Sequence, residues 1–278
     1  MTQTLLDVLQ QRFPDSSKTT IRKLLGSDRV RVNGAPERDA KRPIVAGDRV
    51  EIAAKSERVD PRIRILFEDA DLIVVDKAEG LLTVPSLEVR HETAETFLNT
   101  YLAGHPGEKR IHSVHRLDRD TSGVLVFAKN AYVRERLQGL FAAHDIDRVY
   151  VAIVHGTLRE SAGTFRSFVA EDANLRMRSV GGAARGKEAV THYRTTASGR
   201  RYSILEVTLA TGRRNQIRVH LAEAGHPVVG DTLYGRGFDG ELGRLGLHAE
   251  HLGFVHPRSG KKVAFTADVP RSFRELRL

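Results

Sequence analysis

The chain has 278 residues and contains no cysteine and no tryptophan. The absence of cysteine excludes disulfides and thiolate metal sites, and it is typical of proteins from a reducing compartment. The longest apolar runs, such as residues 124–128, are far shorter than the ~18 residues that a membrane-spanning helix needs. The N-terminal residues lack the basic and apolar segments of a signal peptide. We therefore expect a cytoplasmic protein that does not enter a membrane.

Acidic residues are fewer than basic ones, 35 against 44, so the chain carries a formal net charge of +9. Arginine outnumbers lysine by 34 to 10. The planar guanidinium matches the geometry of phosphate oxygens, so this excess favours a nucleic-acid partner. A basic surface that contacts only solvent would have the same composition, and charge alone does not separate the two interpretations.

Residues 1–52 read as a small unit of two helices followed by a hairpin. Leu5 and Leu9 have helical spacing, and Ser17 can cap a second helix. Asn33-Gly34 follows an alternating stretch and is typical of a tight hairpin turn. The basic residues that could lie on one face of this unit and neutralise phosphates are Lys18, Arg22, Lys23, Arg29 and Arg31.

Residues 53–62 are polar, contain Pro61 and show no periodicity, which is typical of a linker. We expect residues 63–278 to form a second, larger domain. Short apolar strands at hairpin-like spacings dominate it, so the predicted fold class is α+β, with a mixed, largely antiparallel sheet and flanking helices. The pattern predicts about eight strands, at 63–67, 72–75, 124–128, 148–154, 189–193, 202–209, 248–254 and 262–265, and helices near 93–102, 133–141 and 211–221.

Residues 165–185 show a weaker pattern, and a loop-like stretch follows them. Gly181 to Lys187 has the spacing of a phosphate-binding loop. Glu188 comes next, however, where that loop needs a serine or threonine to hold magnesium, and no apolar strand leads into it. We interpret this stretch as a turn before the strand at 189–193.

The densest group of reactive side chains lies at residues 115–123, directly before the apolar strand at 124–128. This loop holds one histidine, two arginines and the two carboxylates of Asp118 and Asp120. Loops mounted on a rigid strand often carry chemistry. An aspartate in a loop is also a common turn former or ion-pair partner, so the residues alone do not rank the two carboxylates.

Two other kinds of site, a glycoside hydrolase site and a metal site, are disfavoured by the sequence. A paired-carboxylate glycoside hydrolase is disfavoured because its second acid usually comes from another strand and because tryptophan is absent. A metal site is disfavoured because the spacing of His248 and His251 comes without a carboxylate-assisted motif. We expect no metal and no cofactor.

The stretch His115-Arg116-Leu117-Asp118-Arg119-Asp120-Thr121-Ser122-Gly123 resembles the signature of the large-subunit-type (RluA-type) pseudouridine synthases. The residues before the linker resemble the small RNA-binding domain first described in a ribosomal small-subunit protein. Together the two resemblances cover almost the whole chain. The supporting blocks occur in the order of the synthase family, at 68–80, 148–150, 186–193, 211–221, 225–235, 247–249 and 256–257.

The resemblance implies an enzyme that converts uridine in RNA to pseudouridine. It implies that Asp118 is the essential aspartate, which attacks sugar or base covalently or takes a proton from the sugar. Arg218 occupies the position of its ion-pair partner, and Tyr150 that of the tyrosine packed on the uracil. Arg116 matches the arginine that fills the space left by the flipped base. Ile217 and Leu247 are expected to wall the uracil, or to be ordinary core residues.

The chain departs from the family pattern at two places beside the site. Ala78 stands where proline is frequent, and Arg214-Asn215 stand where Thr-His is frequent. Both departures bear on substrate identity more than on activity. We expect a monomer that acts on ribosomal RNA, with transfer RNA as the alternative substrate. A non-catalytic RNA-binding or ribosome-associated protein is the alternative function.

Overall fold

The computed structural model describes residues 3–14, 16–26, 30–52, 59–102, 110–238 and 240–278. The chain divides into two compact units. The smaller unit comprises Met1–Val59 with Leu98–Lys109, and the larger comprises Asp60–Phe97 with Arg110–Leu278. In the described ranges, no helix is both long and apolar enough to cross a membrane.

The smaller unit has a core of aliphatic side chains from two helices and a three-stranded sheet. Thr4 caps the first helix, and its hydroxyl and backbone are joined reciprocally to Asp7. Asn33 and Gly34 have φ values of 54° and 83°, so the predicted hairpin turn is confirmed. The elements are β1 (Gln3–Thr4), α1 (Leu5–Arg12), α2 (Lys18–Gly26), β2 (Val30–Val32), β3 (Ala35–Pro36), β4 (Pro43–Ile44) and β5 (Val50–Ile52).

The larger unit is built on one mixed sheet of eleven strands. Its elements are β6 (Ile63–Glu68), β7 (Leu72–Lys77), α3 (Ala94–Leu102), β8 (His112–Ser113), β9 (Ser122–Ala128), α4 (Ala131–Ala143), β10 (Asp147–His155), β11 (Ala162–Glu171), β12 (Met177–Val180), β13 (Lys187–Ser198), β14 (Tyr202–Leu209), α5 (Gln216–Glu223), β15 (Leu247–Val255), β16 (Lys262–Thr266) and α6 (Arg271–Glu275). Helix α3 begins in this unit, and its residues from 98 onward belong to the smaller one.

The strand order is β12-β11-β13-β14-β10-β15-β9-β7-β6, with β16 beside β15 and β8 beside β9. Among the described strands of this sheet, only β15 and β9 pair in parallel. The predicted mixed, largely antiparallel sheet is therefore confirmed. Helix α4 packs Val133 and Leu137 into a core shared with β7 and β9.

Gly123 is required at the parallel pairing, where the signature loop enters β9. Its φ is 117°, and an added Cβ would lie 2.1 Å from the carbonyl oxygen of Ala249 on β15. No other residue type fits both the backbone angle and the space. This close approach brings the end of the signature loop against the start of β15.

The prediction missed three strands of the sheet. β8 has only two residues. β11 and β12 fall largely within the stretch of weak pattern, at one edge of the sheet, and most of their residues are half-exposed or exposed. A strand without a buried face shows little hydrophobic alternation, so its pattern is hard to recognise.

The predicted start of the helix at residue 211 was also wrong, because α5 begins at Gln216. The Gln216 side chain accepts hydrogen bonds from the hydroxyl of Thr211 and the amide of Arg213. It also donates to the carbonyl of Val190 on β13. These bonds hold residues 211–215 as a loop against the sheet.

Candidate active site

Asp118 lies in the loop before β9, and the loop backbone is held on both sides of it. On one side, the Thr83 hydroxyl donates to the Leu117 carbonyl at 2.9 Å and accepts from the Leu117 amide at 3.1 Å. On the other side, Lys77 Nζ donates to the Arg119 carbonyl at 3.0 Å. Thr83 and Lys77 are both buried, so these bonds face little competition from water.

Lys77 is a buried lysine with no exposed surface. Its ammonium also donates to the carbonyls of Ala78 and Leu81, both at 2.8 Å. Burial lowers the pKa of Lys77 to about 7, against smaller opposing effects of Asp120 and Asp118. Lys77 therefore joins the end of β7 to the signature loop through main-chain acceptors.

A second polar network holds the far end of the loop, at the start of β9. Arg244 donates to the Ser122 hydroxyl at 2.6 Å and forms an ion pair with Glu79 at 2.8 Å. Since Ser122 Oγ accepts from Arg244, its own proton can go to Nδ1 of His248, which lies 2.8 Å away. Thr83, Lys77 and Arg244 together tie the Asp118 loop to the segment that follows β7.

Arg218, on α5, contacts Asp118 but binds another carboxylate more closely. Its Nη1 lies 3.5 Å from Asp118 Oδ2. Its Nε and Nη2 donate to the two oxygens of Asp231, at 2.7 and 2.8 Å. Burial alone would lower the pKa of Arg218, but the bonds to Asp231 outweigh it and raise the pKa above the ordinary value. Arg218 thus remains a fixed cation beside Asp118.

The surroundings of Asp231 fix this arginine further. Asp231 Oδ1 also accepts hydrogen bonds from the amides of Leu233 and Tyr234. The Tyr234 ring lies 5.2 Å from the Arg218 guanidinium, and its hydroxyl accepts from Asn215. Asn215 in turn accepts from Arg218 Nη1 at 3.1 Å. The guanidinium is therefore held by two side-chain acceptors and one ring besides Asp118.

Tyr150 is buried on β10, and its phenol is electrostatically coupled to Asp118. Burial raises the pKa of Tyr150, and the charge of Asp118 adds to this effect while Arg148 opposes it. In the pairing of β10 with β15, Val149 lies opposite His251 and Tyr150 opposite Ala249. The extra residue on β15 is a bulge, a feature that often redirects side chains near active sites.

The first two residues of the signature differ in their environment. His115 Nε2 accepts from the Val126 amide, and its ring stacks on Phe141 with centroids 4.4 Å apart. Burial lowers the pKa of His115 to about 3, so the ring is neutral at physiological pH. Arg116 is exposed. His115 therefore anchors the loop, whereas Arg116 is open to solvent.

The remaining predicted site residues differ in how far they are exposed to solvent. Ile217 and Leu247 are both buried. In the smaller unit, Lys18, Arg22 and Arg31 are exposed. The side chain of Lys23 and the whole of Arg29 lie outside the described residues. Within the part of the chain that the structure describes, no group of three or more histidine and carboxylate side chains is placed to hold a metal ion.

Sequence reasoning gave no site role to three residues that lie in or next to the candidate site. Asp231, which holds Arg218, was read as part of a Gly-Asp turn and of a family block. Arg148 stood in a family block without a role of its own, and Thr83 gave no signal, because their contacts join segments that are distant in sequence. Asp118 and Arg218, which are 100 residues apart in the chain, lie 3.5 Å apart in the structure.

Comparisons with known proteins identify relatives of this chain. Residues 71–223 match the RNA pseudouridylate synthase family. Ribosomal large subunit pseudouridine synthase D of Zymomonas mobilis is 37% identical over 80% of this chain and 74% of its own. The enzyme of that name from Vibrio cholerae is 31% identical over 99% of this chain and 90% of its own.

The solved structure of human RNA pseudouridylate synthase domain containing 4 superposes with a TM-score of 0.63 at 25% identity, and the match covers 76% of this chain and 90% of that one. Sequence and fold therefore lead to the same family, and neither the glycoside hydrolase nor the non-catalytic alternative has comparable support. The chain belongs to the RNA pseudouridine synthase family and is an isomerase that converts uridine to pseudouridine in RNA.

Proposed function

We propose that Asp118 is the catalytic residue of this isomerase. It would attack the sugar or the base covalently, or take a proton from the sugar, as the N1–C1′ bond breaks and C5 joins C1′. One observation carries the proposal. The Asp118 carboxylate, with 22% of its side chain exposed, lies 3.5 Å from a buried arginine, on a loop whose backbone is bonded on both sides. A preorganised, ionised carboxylate is what this chemistry needs.

In this proposal, the residues around Asp118 either contact the uracil base or place a charge near the Asp118 carboxylate. Arg218 places its positive charge beside the Asp118 carboxylate, and Tyr150 packs on the uracil after the nucleotide leaves its stack. Arg116, which is exposed and free of the core, fills the space that the base leaves. Ile217 and Leu247 wall the uracil from the buried side.

The proposed substrate is ribosomal RNA, with transfer RNA as the alternative. Two similar proteins carry names that state action on the large ribosomal subunit, which supports this choice. We also propose that the protein acts as a monomer in the cytoplasm.

Residues 1–52 are proposed to be an RNA-binding domain, joined by a linker at 53–62 to a catalytic domain at 63–278. Two short helices followed by a hairpin, with exposed Lys18, Arg22 and Arg31, support this role. Lys23 and Arg29 are proposed to act with them. Deleting residues 1–52 should weaken binding to long RNA and reduce its salt dependence, while the remainder keeps its fold. An unfolded truncation would show that the boundary is misplaced.

One assay tests the substrate and the enzyme together. RNA tritiated at uracil C5 is prepared from a strain lacking this protein, separated into ribosomal and transfer RNA, and incubated with the purified chain. Isomerisation displaces the hydrogen of C5, so tritium should be released from the ribosomal fraction. Release from transfer RNA alone would reject the proposed substrate, and release from neither would reject the activity.

The role of Asp118 is tested by comparing Asp118→Asn with Asp120→Asn. Asp120 is the matched control, since it lies two residues away and pairs with the exposed Arg119. We expect Asp118→Asn to bind RNA but to lose at least about 1,000-fold in tritium release. Asp120→Asn should keep most activity. Equal turnover of Asp118→Asn and the wild type would remove Asp118 from its proposed role.

A further inference from the structure

Arg148 is a partly buried arginine beside the candidate site, and the residues that the structure describes supply no carboxylate to neutralise its charge. It lies on β10 two residues before Tyr150, so the two side chains share one face of the strand. The β10–β14 register is regular here, which preserves that alternation. Two strand residues span about 7 Å, so Arg148 lies next to the position proposed for the uracil.

The hydrogen bonds of Arg148 are incomplete. Its Nη2 donates to the Leu209 carbonyl at 3.1 Å. Its Nε is buried and has no hydrogen-bond partner. Its Nη1 makes no hydrogen bond within the described residues and is not among their fully buried polar atoms. Of the three nitrogens, only Nη1 is both without a partner in the described residues and open to an acceptor that the protein does not supply.

Two other partly buried arginines of the larger unit have carboxylate partners. Arg218 is bonded to Asp231, and Arg244 is paired with Glu79. In the described ranges, no carboxylate lies within ion-pair distance of Arg148, and the Phe141 ring lies 5.8 Å from its guanidinium. Burial lowers the pKa of Arg148 from its ordinary value, yet the guanidinium stays charged. A desolvated cation without a counter-ion is unfavourable unless a ligand brings one.

Gly212 leaves space next to this guanidinium. A Cβ at residue 212 would lie 2.9 Å from Arg148 Nη1. The φ of Gly212 is not positive, so the backbone conformation does not itself require glycine. The lack of a side chain here keeps the outer edge of Nη1 open.

We propose that Arg148 binds a backbone phosphate of the RNA next to the target uridine, in a site that Gly212 keeps open. The proposal rests on the action of this family on RNA, whose anionic groups are its phosphates. A guanidinium N–H group forms a charge-assisted hydrogen bond to a phosphate oxygen, and Nη1 is the donor open for it. Because the charge is already partly desolvated, its attraction to a phosphate is stronger than that of a fully solvated surface arginine. This contact would hold the strand in place while Tyr150 packs on the base.

The test measures tritium release from C5-tritiated RNA of a strain lacking this protein, over a series of KCl concentrations. The full-length wild type is compared with Arg148→Gln, Arg148→Lys and Arg159→Gln. Arg159 is the matched control, because its side chain is 96% exposed in the connection between β10 and β11. Thermal unfolding of each variant reports its fold.

We expect Arg148→Gln to raise KM roughly tenfold with a small change in kcat. The plot of log(kcat/KM) against log[KCl] should become shallower by about 0.7–0.9, the loss of one phosphate contact. Arg148→Lys, which keeps the charge, should keep the slope, and Arg159→Gln should match the wild type. A slope and KM unchanged in folded Arg148→Gln would overturn the proposal and leave Arg148 a purely structural residue.

Gly212→Ala provides a second route if Arg148→Gln does not fold. The added methyl group occupies the open side of Nη1 without removing charge, so KM should rise while Arg148→Lys stays near the wild type. An unchanged KM in Gly212→Ala would contradict the proposal. Failure of the wild type to release tritium would instead refute the activity itself, so the two failures are distinguishable.

Discussion

The guanidinium of Arg218 donates two hydrogen bonds to Asp231, at 2.7 and 2.8 Å, and its remaining nitrogen lies 3.5 Å from Asp118. Asp231 is fully buried and therefore dictates the orientation of the arginine. Arg218 places its positive charge near Asp118 but forms no bidentate pair with it. In the proposed mechanism this single contact leaves the other Asp118 oxygen to react.

Replacing Asp231 with asparagine should therefore damage both stability and activity. Asparagine keeps the shape but removes the charge that neutralises Arg218, leaving a buried guanidinium poorly compensated. Breaking a buried pair of this kind costs about 3–5 kcal/mol of the free energy of unfolding. Urea unfolding and tritium release measure the two effects. Arg194→Gln removes the exposed pair of Arg194 with Glu206 and should cost less than about 1 kcal/mol; equal losses would contradict the special role of Asp231.

Thr83→Val should lower turnover, because Thr83 positions the backbone next to Asp118. The change removes the hydroxyl that bonds both the amide and the carbonyl of Leu117, directly before Asp118. Leaving those two buried groups unpaired costs about 1–3 kcal/mol each, and the loop backbone loses its alignment. We expect kcat to fall about 10- to 100-fold with little change in KM.

Thr83→Ser is the matched control for that change, because it retains the hydroxyl. It should recover most of the wild-type kcat. If Thr83→Val and Thr83→Ser showed the same rate, the hydroxyl would not be what positions Asp118.

The stability of the protein should rise with pH between about 7 and 10.5, the folded and ordinary pKa values of Lys77. In this range the unfolded chain binds a proton at Lys77 that the folded chain has released. The free energy of unfolding therefore increases by up to about 1.4 kcal/mol per pH unit from this group. Below pH 7 both states are protonated, and this contribution becomes constant.

Urea unfolding at pH 6, 8 and 9.5 measures this dependence, with Lys77→Met as the comparison. Methionine has similar length and no charge, so the variant should lack the rise between pH 8 and 9.5. A variant whose stability rose as steeply as that of the wild type would show that another group is responsible.

Gly123→Ala should destabilise the larger unit by more than about 3 kcal/mol. The new methyl group would lie 2.1 Å from the Ala249 carbonyl, at a backbone φ of 117° that alanine rarely adopts. Gly139→Ala is the control, because Gly139 lies in α4 with open space around it. That variant should be more stable than the wild type by up to about 1 kcal/mol. Equal thermal midpoints for the two variants would contradict this account of the β9–β15 pairing.

Many of the strands and helices could be predicted from the local pattern of apolar residues. Strands with a buried face, such as β7 and β9, show apolar runs that are readable without knowledge of their partners. The edge strand β12 and its neighbour β11 were missed because their residues are largely half-exposed or exposed. The start of α5 was misplaced because the Gln216 side chain, and not helix propensity, holds the residues before it.

The sequence by itself determined the composition of the core, the order of most elements and, through a short signature loop, the family and the aspartate to test. Only the tertiary structure decided that Arg218 binds Asp231 more closely than Asp118, that Thr83 brackets Leu117, and that Arg148 has no carboxylate partner in the described chain. The physical reason is the separation along the sequence of the residues that interact. Helix and strand patterns arise from neighbours a few residues apart, whereas these contacts join residues 13 to 100 positions apart and exist only once the strand order of the sheet has formed.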